Sequence, residues 1–225
     1  MMPGAKRTPT SRHRGGARRR RRFAFLAAPL SIVLLAVPVL GATLKATAET
    51  ETGVTPRTRG NPISGVFTPE IQLWGSALMD WAHEADVDPN LAAAVMQIES
   101  CGNPFARSTA GAMGLFQVMP YHFAATEDPF SPSANALRAL DYLKHSLAAA
   151  QGDPRLAFAG YNGGISVISQ PEESWPPETK RYVYWTSGVY EDAISGAHSS
   201  GRLAEWLAAG GASLCQSARD VLNSD

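Results

Sequence analysis

The chain has 225 residues, 44% hydrophobic and 18% charged, with 20 Lys+Arg against 20 Asp+Glu. That composition excludes a chain disordered throughout; 16 prolines and 20 glycines without a G-X-Y period exclude a fibrous protein, and two cysteines are too few for a disulfide-built miniature scaffold. The zero net charge conceals a split: residues 1–22 carry nine basic side chains and no acid, whereas residues 49–225 net −10, which argues against a nucleic-acid-binding domain.

The basic tail, residues 1–22, leads into Phe23 to Leu44, an uncharged stretch of 22 residues. At about 1.5 Å per helical residue such a stretch covers a hydrocarbon core of about 30 Å. Arg18 to Arg22 lie directly before it and would stay in the cytoplasm, which places the rest of the chain outside. Two readings fit: an uncleaved transmembrane anchor, or a secretory signal cut after Ala46-Thr47-Ala48. Pro29 and Pro38 weaken the run as a helix, and Arg20-Arg21 before Phe23 also admits a twin-arginine signal. All of these export the remainder of the chain, to an extracytoplasmic envelope location or beyond. Residues 45–67, rich in Thr, Pro and Gly, are predicted to form a flexible tether, and residues 68–225 one globular domain.

That domain reads as mainly α. Thr68-Pro69-Glu70 has the order of a helix start, and Ile71, Trp74, Leu78, Trp81, Ala82 and Ala85 come after it in one helical stripe. Asp88-Pro89 repeats the signal before Leu91, Ala94, Val95 and Ile98. Ser131-Pro132 opens a third helix ending near Gly152, and Asp153-Pro154 a short fourth. Glu178 to about Ala193 and a region within residues 202–223 complete the predicted helices. No segment alternates in the manner of a strand.

Glu99 falls at the margin of the second stripe and near the helix end that Cys101-Gly102-Asn103-Pro104 imposes. Apolar neighbours strip water from the carboxylate, and the negative helix terminus disfavours its charge; both raise its pKa. A carboxyl group kept protonated near neutral pH is what a general acid requires. A solvated surface glutamate is the competing reading when the residue is taken alone.

Four ordered blocks change that balance. Glu99-Ser100 is followed by Gly114-Leu115-Phe116-Gln117-Val118-Met119-Pro120, then by Ala159-Gly160-Tyr161-Asn162-Gly163-Gly164, then by Glu178-Thr179-Lys180-Arg181-Tyr182-Val183. This order resembles the soluble-lytic-transglycosylase (SLT) type of peptidoglycan lytic transglycosylase, a lysozyme-like family whose blocks are E-S, G-L-M-Q-x-M-P, A-Y-N-A-G and E-T-x-x-Y. Phe116 stands in place of the usual Met, glycines join the small residues around Tyr161-Asn162, and the polar, proline-rich stretch 169–177 reads as a surface loop.

The resemblance implies a lysozyme-like helical SLT domain and cleavage of peptidoglycan glycan strands between N-acetylmuramic acid (MurNAc) and N-acetylglucosamine (GlcNAc). It makes Glu99 the catalytic acid and then base, and 1,6-anhydro-MurNAc the product. Ser108 and Gln117 would hydrogen-bond Glu99 or the substrate, and Met119 would shape the sugar-binding wall. Tyr161 and Asn162 would line the cleft, Tyr161 holding or steering the carboxyl proton, and Glu178 and Tyr182 would support its floor. A lysozyme-type hydrolase and a silent peptidoglycan-binding envelope module are the alternatives, and a wall-opening role in a phage or secretion apparatus is compatible with the tether.

Cys101 and Cys215 are the only cysteine pair in a chain read as exported, so a disulfide is expected. The five histidines show no metal-ligand spacing, and neither metal nor cofactor is expected.

Overall fold

The structure, a computed structural model, describes residues 63–224. The predicted basic tail, the hydrophobic stretch 23–44 and most of the predicted tether lie outside the described residues. Among the described residues no helix is long and apolar enough to cross a membrane.

The domain is mainly α, as predicted. Among the described residues eight α-helices occur in chain order: α1 (Pro69–Leu73), α2 (Gly75–Ala85), α3 (Pro89–Ser100), α4 (Pro132–Ala149), α5 (Pro154–Gly163), α6 (Pro177–Ile194), α7 (Gly201–Trp206) and α8 (Ala212–Leu222). A π-turn, Leu207–Gly211, joins the last two. Five of these helices begin with proline within the first two positions, where its missing N–H costs nothing. Asp88 and Asp153 cap α3 and α5, each accepting two backbone N–H bonds.

Several local expectations need correction. The first stripe is two helices, not one: the chain bends at Trp74, whose indole N–H donates to the Gly102 carbonyl at 2.9 Å. Thr68 does not cap α1 through its hydroxyl, which instead lies 3.4 Å from the Cys101 sulfur. The stretch predicted as tether up to residue 67 already belongs to the core at its end, since Ile63, Val66 and Phe67 are buried. Three large apolar side chains within five residues supply the burial that the Thr- and Gly-rich part before them cannot. The stretch 169–177 is exposed except for Trp175, which is buried and donates its indole N–H to Val167 O and Gln170 O.

The centre of the core is α3. Leu91 through Ile98 are all buried, so this helix is enclosed on every side instead of presenting a single apolar stripe. It packs between α2 and α6, with α8 across its end, while α4 and α5 extend the bundle through α2 and α6. The buried polar side chain of Gln97 is employed too: it accepts the Thr68 amide and donates toward Cys101 Sγ. Cys101, in left-handed conformation, ends the helix, and Gly102 with φ +83° lets the chain pass close beneath Trp74.

The end of α3 is clamped to the C-terminus by the Cys101–Cys215 disulfide, which spans 114 residues. Beside it, Arg219 of α8 donates to the buried carboxylate of Glu70 in α1. Burial pushes the Glu70 pKa up, but its own amide, Arg219 and Thr68 outweigh that and hold the pKa below the usual range. Closing so long a loop stabilises the fold by about 4–5 kcal/mol in the chain-entropy picture. Cys215→Ser should therefore lower the denaturant midpoint markedly, by the equivalent of roughly 2–5 kcal/mol. Urea unfolding of the wild type should show the same loss after reduction; identical midpoints with and without reductant would contradict the clamp.

Candidate active site

Glu99 occupies the last turn of α3 and is the side chain through which this buried helix opens onto a cleft of about 600 Å³. The opposite wall is the loop between α3 and α4. That loop has almost no regular structure, and a network of buried polar groups holds it. Ser100 Oγ donates to Leu115 O at 2.6 Å. Asn135, fully buried in the first turn of α4, accepts the Phe116 amide and donates to Met113 O and Pro129 O. Gly114, at φ +76°, has no room for a side chain, because a Cβ would lie 2.4 Å from Asn135 Nδ2.

Six of the predicted residues line this cleft with Glu99: Ser108, Gln117, Met119, Tyr161, Asn162 and Glu178. Their hydrogen bonds revise their roles. The Ser108 hydroxyl accepts the Ala112 amide at 2.9 Å, which leaves its own proton free to donate. Gln117, in left-handed conformation, spends its amide N–H groups on Ala106 O and Gly114 O. It therefore staples the loop, and only its side-chain carbonyl remains for another partner. Tyr161 donates to Phe116 O at 2.8 Å. Its hydroxyl proton is thus engaged away from the glutamate, and toward Glu99 it can only offer oxygen lone pairs.

Asn162 accepts from the Thr179 hydroxyl at 2.9 Å, linking α5 to α6. It borders both the main cleft and a second arm of about 350 Å³ on the other side of Glu99. Glu178 is exposed and lines both spaces, so it forms a rim and not the floor expected of it. Tyr182, by contrast, is buried beneath Glu99. Its hydroxyl faces the carboxyl closely enough to temper its pKa, although it completes no well-formed hydrogen bond with the protein.

Protein atoms crowd the Glu99 carboxyl except where it meets the cleft. This desolvation pushes its pKa up to about 8, Tyr182 opposes the shift, and the charge of Glu178 adds to it. The phenols of Tyr161 and Tyr182 are pushed well above their ordinary value, first by burial and then by the Glu99 charge. Near neutral pH the site thus holds a neutral carboxylic acid between two neutral phenols.

Sequence reasoning misses an aromatic row along the cleft. Tyr121, His122, Tyr142 and Tyr161 succeed one another with ring centroids 4.5, 5.1 and 5.9 Å apart. Tyr121 and His122 are neighbours in one turn, but Tyr142 and Tyr161 come from α4 and α5, so no local period links the row. It also misses Asn135, a polar residue beside the apolar stripe of α4. The glycine at position 160, where the resembling block carries alanine, has a packing reason. A Cβ there would lie 2.5 Å from Ser146 Oγ and 2.6 Å from Ile168 Cδ1. Gly160→Ala should cost about 1–3 kcal/mol through overpacking, measurable by thermal unfolding; an unchanged midpoint would show that α4 yields.

The raised carboxyl has a thermodynamic consequence. The unfolded chain releases this proton near pH 4.5, whereas the folded chain keeps it to about pH 8. The folded state binds more protons across that window, so stability is full below pH 4.5 and declines as pH rises toward 8. Glu99→Gln should remove the penalty, and its stability gain over wild type should grow from pH 5 to 8, to the order of 3 kcal/mol. Parallel melts at several pH values check this; a constant difference would mean an ordinary, solvated carboxylate.

Comparison with known proteins covers the same residues. Residues 76–182 match the model of the family described as Transglycosylase SLT domain. A transglycosylase of Enterobacteria phage PRD1 is 32% identical over 111 residues, which cover 48% of this chain and 40% of that protein. A lytic transglycosylase of Pseudomonas aeruginosa, solved as an inactive mutant, is 22% identical with a TM-score of 0.45, over 54% of this chain and 24% of that one. The 70 kDa soluble lytic transglycosylase of Escherichia coli is 20% identical with a TM-score of 0.46, over 56% and 25%. This chain thus spans about two fifths of the length of the phage relative and a quarter of the solved chains. The family match runs from α2 to the Tyr182 position of α6 and takes in all four blocks, while α7 and α8 lie beyond it. Residues 76–182 of this chain are thus similar to the SLT-type transglycosylases.

Proposed function

We propose that the protein is a peptidoglycan lytic transglycosylase, with Glu99 acting first as general acid and then as general base. The observation that carries this reading is the neutral Glu99 carboxyl, held at a pKa of about 8 in the wall of the cleft. An acid poised near the working pH donates its proton most effectively.

A strand lying along the cleft would present the oxygen between MurNAc and GlcNAc to Glu99. Glu99 protonates that oxygen, and its bond to C1 of the MurNAc breaks. The acetamido oxygen of the same sugar holds the developing positive charge, a recognised exception to the two-carboxylate scheme. Glu99, now a carboxylate, takes the proton from the C6 hydroxyl. The oxygen closes on C1, which gives the 1,6-anhydro ring, restores the neutral acid and consumes no water.

The surroundings support each half of this cycle. Before proton transfer the Glu178 charge and the low polarity disfavour ionisation, and a Tyr161 lone pair is free to accept the carboxyl proton. After transfer the buried Tyr182 hydroxyl is available to donate to the new carboxylate. The free proton of Ser108 and the carbonyl of Gln117 suit an acetamido group, and Met119 with the aromatic row offers apolar surface to sugar rings.

A second reading is a hydrolase of lysozyme type. Glu178 favours it, as an exposed carboxylate on the rim of the space that holds Glu99 and able to activate water there. The site is further proposed to work outside the cytoplasm, anchored or released, because the Cys101–Cys215 bond suits an oxidising compartment.

Digestion of purified sacculi followed by mass spectrometry of the fragments distinguishes the two. Ring closure yields termini one water lighter than hydrolysis does; ordinary reducing ends alone would reject the transglycosylase scheme. Glu99→Gln should reduce turnover by about 10²–10⁴-fold or more while the protein stays folded. In the wild type, kcat/KM should fall as pH rises through about 8, the pKa of the acid.

A further inference from the structure

The second arm beyond Glu99 also holds side chains that the proposed chemistry does not use. One face of α6 supplies Glu178, Arg181, Tyr182 and Trp185, spaced i, i+3, i+4 and i+7. Facing them are Trp206 and Leu214, from a C-terminal segment beyond the family match. The Leu207–Gly211 turn shapes that wall: a Cβ on Gly211 would lie 2.4 Å from the Trp206 ring. The disulfide at Cys215, one residue after Leu214, fixes the wall to the end of the helix that carries Glu99.

Arg181 stands apart from the other arginines among the described residues. Arg138, Arg155, Arg202 and Arg219 each pair with a carboxylate, and Arg107 lies over the Phe130 ring. The Arg181 side chain is exposed and makes no ion pair or hydrogen bond among the described residues. It does so in a domain with a large excess of acid and only three positions from Glu178. Leu214, also in the arm, is 41% exposed. An unpaired guanidinium beside an uncovered apolar wall, adjoining the catalytic carboxyl, suits an occupant that is apolar on one side and anionic on the other. Glu178, at the Glu99 end of the same face, repels an anion there and directs it toward Arg181.

We propose that this second arm is a subsite for a sugar carrying a carboxylate-bearing substituent, with Arg181 as its counter-charge and the C-terminal turn as its apolar wall. The inference rests on the reading of the protein as a peptidoglycan-cleaving enzyme. In that polymer the substituent is the peptide carried by the lactyl group of MurNAc, so Arg181 makes the enzyme prefer peptide-bearing strands to stripped ones.

Binding can be separated from turnover. Protein carrying Glu99→Gln is titrated with short glycan fragments that either bear their peptides or have lost them to amidase. Peptide-bearing fragments should bind about fivefold more tightly at low salt, and the preference should shrink as ionic strength rises. Adding Arg181→Ala should erase the preference, Arg181→Lys should keep most of it, and Arg181→Glu should invert it. Leu214→Trp, which fills the arm, should weaken binding of both fragments. Equal binding of the two fragments with Arg181 intact, or a preference that survives Arg181→Ala, would overturn the subsite while leaving the enzymatic reading standing. If neither fragment binds and wild-type protein cleaves neither polymer, both readings fall together.

Discussion

A helix buried on every side can carry an ionisable group only where it emerges, and α3 emerges at Glu99. The physics of that position governs much of the site. Water is scarce around the carboxyl, so its charge is expensive, and the proton that relieves the cost is the one a general acid must give away. The neighbouring groups tune that cost. Glu178 adds a like charge on the rim, Tyr182 offers a hydroxyl from beneath, and Tyr161 turns its own proton toward Phe116 and away from the acid. Neutral acid and carboxylate are thereby each provided with a partner, and the balance between them lies near physiological pH.

The second constraint is rigidity in a wall that lacks secondary structure. The loop from Asn103 to Pro120 would wander if it depended on backbone pairing alone. It is instead tied by side chains whose donors and acceptors are spent inward: Ser100 on Leu115, Gln117 on Ala106 and Gly114, and Asn135 on three backbone groups at once. Buried polar networks of this kind are costly when incomplete and specifying when complete. The loop can therefore present Ser108 and Met119 to the cleft in one arrangement.

The helices are legible in the sequence because proline, aspartate and apolar period agree at each start, as at Asp88-Pro89 and Asp153-Pro154. The fracture at Trp74 is not, since the stripe continues through it and only a partner 28 residues away, the Gly102 carbonyl, explains the bend. Periodicity makes α3 look like an edge helix, whereas composition points the other way: Leu91 to Ile98 contains no charge at all, as full enclosure requires. Glu99 is reachable from the four ordered blocks, and the cysteine pairing from the number of cysteines together with the expectation of export. The roles of Gln117 and Tyr161 are not, because a side chain's partner depends on which backbone carbonyl the fold brings to it. Asn135 and the aromatic row escape for the same reason: their neighbours come from other parts of the chain.

The bond between Cys101 and Cys215 joins the stretch just past the acid to a helix that the family match does not include. In a reducing medium those sulfurs would separate, and the half-exposed Arg219 pairing with Glu70 would remain as a polar tie between α8 and α1, weakened by salt. The molecule therefore carries a built-in latch: the far side of its groove is fastened covalently only where thiols oxidise, and among reductants that flank would hang loosely.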